Sequence, residues 1–131
     1  MTAYERVAVD APPEAVVAAL RETLRSRGIT VYAVVDHGHD MAAAGAPEFP
    51  AFTLVFGNPA AGAKLLARDL AAAVDIPLRL AVVGAGGGSE IVLRDMRSLL
   101  DEDLADLADA FTGILRTVAQ DARQLATTGA G

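Results

Sequence analysis

Apolar and polar positions alternate from Tyr4 to Val9, with Val7 and Val9 on one side and Arg6 on the other, which predicts a strand. Asp10 then precedes Ala11, Pro12 and Pro13, and an acidic cap with proline in the first turn marks a helix start. Val16, Ala19, Leu20 and Leu24 carry an apolar stripe at helical spacing, and Gly28 closes that helix. The β-branched run over 29–35 predicts a second strand. A connection over 36–50 follows, with a short helix around 40–44 that Gly45 and Pro47 end.

Phe52, Leu54 and Phe56 share one face of a third strand. Gly57-Asn58-Pro59 then turns the chain, with Asn58 as N-cap and Pro59 as the first residue of a helix reaching about residue 73. After Ile76-Pro77, Leu78, Leu80 and Val82 alternate against Arg79 in a fourth strand. A glycine-rich loop at 84–88 joins it to a fifth strand over 89–94, so the two form an antiparallel hairpin. The last element has the clearest period. Leu104, Leu107, Ala108, Phe111, Leu115, Val118, Ala122 and Leu125 keep a helical stripe, with Asp101, Glu102 and Asp103 at its positive end. Phe111, Leu115, Val118 and Ala122 are expected in the core, with Met41 and Met96 as gap-fillers.

The order β-α-β-(α)-β-α-β-β-α defines an α+β domain. Strands with one apolar face predict a mainly antiparallel sheet with its helices packed on one side. A single domain over 1–126 and a flexible tail over 127–131 are expected.

Composition narrows the chemistry. The 131 residues are 53% hydrophobic but only 5% aromatic, without tryptophan, so the core rests on Leu, Val, Ile and Ala. The absence of cysteine excludes disulfides, thiolate catalysis and Cys-ligated metals. A net charge of −6 argues against a nucleic-acid partner, whose affinity would come from phosphate contacts. The eleven Lys and Arg are scattered along the chain, and only Arg21, Arg25 and Arg27 come close together, at a helix end that favours cations. MTAYERVAVD has no basic-then-apolar leader, and the alanine-rich run over 60–73 is broken by Lys64, Arg68 and Asp69. The expected setting is cytoplasmic, with no membrane partner.

Four blocks carry a family resemblance. They are Val55-Phe56-Gly57-Asn58-Pro59; then Gly62 with Leu65-Leu66; then Ile76-Pro77-Leu78-Arg79; and, upstream, Val35-Asp36-His37 with Ala43 and Gly45. In this order and spacing they resemble domain of unknown function family 302, the TT-1751-like proteins. The resemblance covers roughly residues 7–100 and implies a TATA-binding-protein-like sheet-and-helix fold. It brings no established activity. The glycine run over 84–88 departs from the acidic turn of many members, and the C-terminal helix is long.

Two constellations bear on function. The Gly57-Asn58-Pro59-Ala60 corner opens a helix, whose free amides and partial positive charge suit an anion. The plainer account is that Asn58 caps its own helix and Pro59 stiffens the start. Asp36-His37-Gly38-His39-Asp40 gathers two imidazoles and two carboxylates that could hold a metal, and His37 has the chemistry of a general base. The plainer account makes Asp36 a strand end and Asp40 a cap, with incidental histidines. The Gly84-x-Gly86 run lacks the helix that a dinucleotide fingerprint must open. Ser26, Ser89 and Ser98 have no nucleophile elbow around them.

The function expected first is a small-molecule or anion binding or sensing module. Gly57, Asn58, Pro59, Ala60 and His37 would line a shared hollow, with no cofactor and no metal. One alternative is a homodimeric structural or interaction domain, for which alanine-rich helix surfaces allow close packing. A second is a hydrolase or isomerase with His37 as general base, so the residues leave open whether the chain is an enzyme.

Overall fold

The computed structural model describes residues 4–128. Strand β1 (Tyr4–Val9) leads into α1 (Pro13–Ser26) and β2 (Thr30–Asp36). Helix α2 (His37–Ala43) and β3 (Ala51–Gly57) come next, then α3 (Pro59–Arg68). A 3-10 helix (Leu70–Asp75) precedes the hairpin of β4 (Leu78–Ala85) and β5 (Gly88–Arg94). Short 3-10 turns over Met96–Ser98 and Glu102–Leu104 lead to α4 (Ala105–Thr128).

The sheet order is β1-β5-β4-β3-β2, and each neighbouring pair is antiparallel. Alternation sorts the side chains. Val9, Leu54, Phe56, Leu80, Val82, Ile91 and Leu93 are buried on one face. Against them lie Val16, Leu20 and Leu24 of α1 and Phe111, Leu115, Val118 and Ala122 of α4, in a single hydrophobic cluster. Complete burial of a leucine such as Leu20 contributes roughly 1.5–3 kcal/mol. The other face carries Arg6, Arg79, Ala81, Val83, Val92 and Arg94, none of them buried.

Several boundaries differ from the sequence reading, each for a local reason. Asp10 does not cap α1. Pro12 holds that position with no side-chain bond, and its carbonyl accepts from Ala15 and Val16 at 3.0 and 3.2 Å. Two prolines preset the backbone, so the helix starts without an acidic cap. At its other end Gly28 has φ +69, Gly28 N–H donates to Arg25 O and Ile29 N–H to Leu24 O, a Schellman closure. Asp36, not Asp40, caps α2, by accepting from His39 N–H at 2.9 Å. The helix after Pro59 stops at Arg68. Asp69 is extended and accepts from Ala71 N–H at 3.0 Å, which offers the backbone an alternative to another α-turn.

The glycine loop is only two residues long. Gly86 and Gly87 have φ +54 and +87, as a tight hairpin turn demands. Met41 is 37% exposed and fills no gap, whereas Met96 is buried. Thr127 and Thr128 lie within α4, where their hydroxyls donate to Arg123 and Gln124 carbonyls, so the helix continues past the expected start of the tail. Residues 129–131 of that tail lie outside the described residues. Among the described residues no helix is long and apolar enough to cross a membrane.

Candidate functional site

Gly57 ends β3 and Asn58 turns the chain out of the sheet at φ −120 and ψ 113. The Asn58 side chain accepts from Ala60 N–H at 2.9 Å, and its carbonyl accepts from Gly62 N–H at 2.9 Å. Pro59 has no N–H. The first turn of α3 therefore has at most one amide, that of Ala61, open to a ligand. An anion would find much less here than a bare helix N-terminus offers.

Beside the corner lies a cavity of 480 Å³, with Gly57, Asn58 and Pro59 at its lip. Its walls are carbon-rich: Phe56 from the sheet, Ala61 from α3, Ile76, and Phe111 and Ile114 from α4. Polar groups are few. Tyr32 brings a hydroxyl, and Arg27 stands at the edge, already paired with Asp121. Tyr32 reaches this place because β2 carries a bulge. Val31 pairs with Phe56 and Ala33 with Val55, so Tyr32 is the extra residue. A bulge re-aims the side chain it carries.

His37 belongs elsewhere. Along the β2–β3 ladder Thr30 pairs with Gly57, while Asp36 pairs with Phe52. Five residues at the strand rise separate the two ends by roughly 17 Å. His37 and the corner do not share a hollow, which corrects the expected five-residue site. The ring Nε2 of His37 bonds to the Thr53 hydroxyl at 2.8 Å. His37 thus has a hydroxyl partner, not the carboxylate that would orient a general base. Asp36 is occupied by its cap, and among the described residues no group of three or more His, Asp or Glu is placed to hold a metal.

Tyr32, Ile76, Phe111 and Ile114 were not legible as site residues. Phe111 read only as a member of a helical stripe and Tyr32 as one position of a strand, while Ile114 was not singled out at all. An aromatic that is 53% exposed within a β-branched run was the one signal at hand, and exposure is a property of the fold.

The fold and cavity define a class: a one-sided antiparallel α+β domain with a carbon-lined hollow where β3 meets α3. The profile of a domain of unknown function, DUF302, matches residues 5–125, and the chain belongs to that family. It is similar in structure to the crystal structure of an uncharacterized conserved protein DUF302 from Bacillus stearothermophilus. The TM-score is 0.87 at 20% identity, over 94% of this chain and 100% of that one. At that identity the likeness speaks for the fold. No curated protein matches the chain.

Proposed function

We propose that this domain binds a small, mainly apolar ligand that carries one polar group. The observation behind this reading is the 480 Å³ cavity whose lip is the Gly57-Asn58-Pro59 corner. That volume lies within the range of small-molecule sites, and a carbon-lined wall with few polar groups is their usual composition. Burial of the ligand's apolar surface would drive binding, at roughly 25 cal/mol per Å² removed from water. The Tyr32 hydroxyl and the Ala61 amide would orient its polar end. Such a domain senses or carries its ligand and needs no catalytic group.

The experiment is a protein-observed NMR titration with hexanol and hexanoate as probes. Both are expected to shift the amides of Gly57, Ala61, Gly62 and Ile114. Gly62→Leu grows a side chain from α3 toward Ile76, whose Cδ1 would stand 3.7 Å from the new Cβ. It should weaken both probes at least tenfold without loss of folding. Absence of shifts at millimolar probe, or full binding by the Gly62→Leu protein, would sink the proposal.

A further inference from the structure

Three of the eleven basic residues, far apart in sequence, converge on the face of the sheet that α1 and α4 leave open. Arg6 comes from β1, Arg79 from β4 and Arg94 from β5. Tyr4 pairs with Arg94 and Arg6 with Val92, while Ala81 pairs with Val92. The β4–β5 pairing ends at Ala81 and Val92, and strand alternation puts Arg79 and Arg94, each two residues beyond that pair, on the same open face. Like charges gathered on one sheet face disfavour each other. The chain as a whole has net charge −6, so the pair does not follow from a surplus of cations.

The groove beside the pair is lined by one carboxylate, Asp75, which forms no ion pair with either arginine, and Arg94 donates to the Tyr4 hydroxyl at 3.4 Å. Glu90 accepts from Arg6 at 3.0 Å and is 28% exposed. Arg94 lies 4.7 Å over the Tyr4 ring, a contact that accommodates a cation without neutralising it. Neither Arg79 nor Arg94 is paired with a carboxylate among the described residues. Beside them a groove of 480 Å³ runs over Val92, Ala81 and Thr53 toward Pro77 and Leu99. Ala81 sits between Val92 and Thr53 in one cross-strand row, and its small side chain makes the depression.

We propose that this open face is a second ligand site, which takes a small organic oxyanion carried on a flat apolar body. Arg79 and Arg94 hold the charge, and Ala81, Val83 and Val92 support the body. A carboxylate and a phosphate ester share this chemistry, since a guanidinium presents a planar fork that suits either. A bound anion offsets the guanidinium charges that this face gathers. The site shares Pro77 and Leu78 with the lining of the corner cavity but not Tyr32, Asn58 or Arg27, and does not rest on it.

The test is an NMR titration at low salt with benzoate, phenyl phosphate, inorganic phosphate and neutral benzyl alcohol. Both organic anions are expected to shift the amides of Arg79, Ala81, Val92 and Arg94. Benzyl alcohol and inorganic phosphate should each bind at least tenfold more weakly than the better anion. Whichever of benzoate and phenyl phosphate binds tighter identifies the natural head group. Arg79→Gln with Arg94→Gln should weaken both anions at least tenfold, and Gly62→Leu should leave them unchanged.

Unaltered binding by the double variant overturns the proposal, as does equal binding of benzyl alcohol. Shifts confined to residues 57–62 would assign the anions to the corner. Sedimentation that shows a dimer weakened by the double variant would assign the face to a second copy of the chain. Binding of polyanions alone would replace the small ligand with a macromolecule.

Discussion

Tyr32 lies over Gly57, so close that a Cβ on Gly57 would meet Tyr32 Cε2 at 3.4 Å and Pro77 Cβ at 3.8 Å. Both distances are ordinary contacts, and Gly57 does not have a positive φ. Gly57→Ala is therefore expected to fold normally and to gain about 0.4–1 kcal/mol from a less flexible unfolded chain. Urea denaturation measures this. A loss above about 1 kcal/mol would mean that the Tyr32 contact tolerates no added methyl.

Asn58→Ala removes the acceptor of the Ala60 amide. The cost expected is about 1 kcal/mol, typical of a lost N-cap, and Asn58→Asp should recover most of it. If the alanine variant is as stable as wild type in urea, capping is not the structural work of this residue.

Gly38 and Gly28 are held for different reasons. A Cβ on Gly38 would come within 2.4 Å of the Phe49 carbonyl oxygen, whereas one on Gly28 would meet nothing within 4 Å. Gly28→Ala should cost only the left-handed backbone strain, about 1–2 kcal/mol. Gly38→Ala must displace the 44–50 loop and is expected to cost more. Denaturation midpoints in the opposite order would contradict this account.

Thr112 is 1% exposed and links two segments of chain. Its hydroxyl accepts from Met96 N–H at 2.8 Å and donates to Ala108 O at 2.9 Å. Thr112→Val keeps the shape but leaves a buried N–H unpaired, at a cost of about 1–3 kcal/mol, while Thr112→Ser should cost less. Amide exchange at Met96, faster in the valine variant, is the local readout.

Two surface pairs give a pH dependence of known sign. Hydrogen bonding by the Arg68 guanidinium holds the Asp106 carboxyl below its ordinary value of 3.8, and Arg97 does the same for Asp109. A carboxyl whose folded pKa is depressed contributes stability above its unfolded pKa. That contribution is lost as pH falls through the folded value. Melting temperatures of wild type and Arg68→Ala/Arg97→Ala should differ at pH 7 and converge well below pH 3.8. In 1 M salt the gap at pH 7 should shrink. A gap that persists in strong acid would trace to lost packing of the arginine stems or to the Arg68 bond to the Asp103 carbonyl.

Local pattern was enough for the element order and the buried stripes. The alternation of Leu78, Leu80 and Val82 and the helical period of Leu104 to Leu125 are set by which face must leave water. Gly28 and Asn58 were readable because a left-handed turn and an N-cap restrict residue type at one position. Boundaries were less legible where a side chain competes with the backbone, as at Asp69, or where proline removes the need for a cap, as at Pro12. The corner was visible, but not the cavity beside it, because Tyr32, Ile76 and Phe111 come from three separated segments.

By itself, then, the sequence determined the strands, the helices, the face each one buries and the turn at Asn58. Apart from the β4–β5 hairpin, strand neighbours were decided only by the tertiary structure. The β1-β5-β4-β3-β2 order sets Arg6, Arg79 and Arg94 together from distant points of the chain. The β2–β3 register puts His37 and Asn58 at opposite ends of one ladder, 21 positions apart in sequence. The physical reason is that a residue's hydropathy decides whether it is buried, while pairing across a sheet depends on how the whole chain closes its long loops.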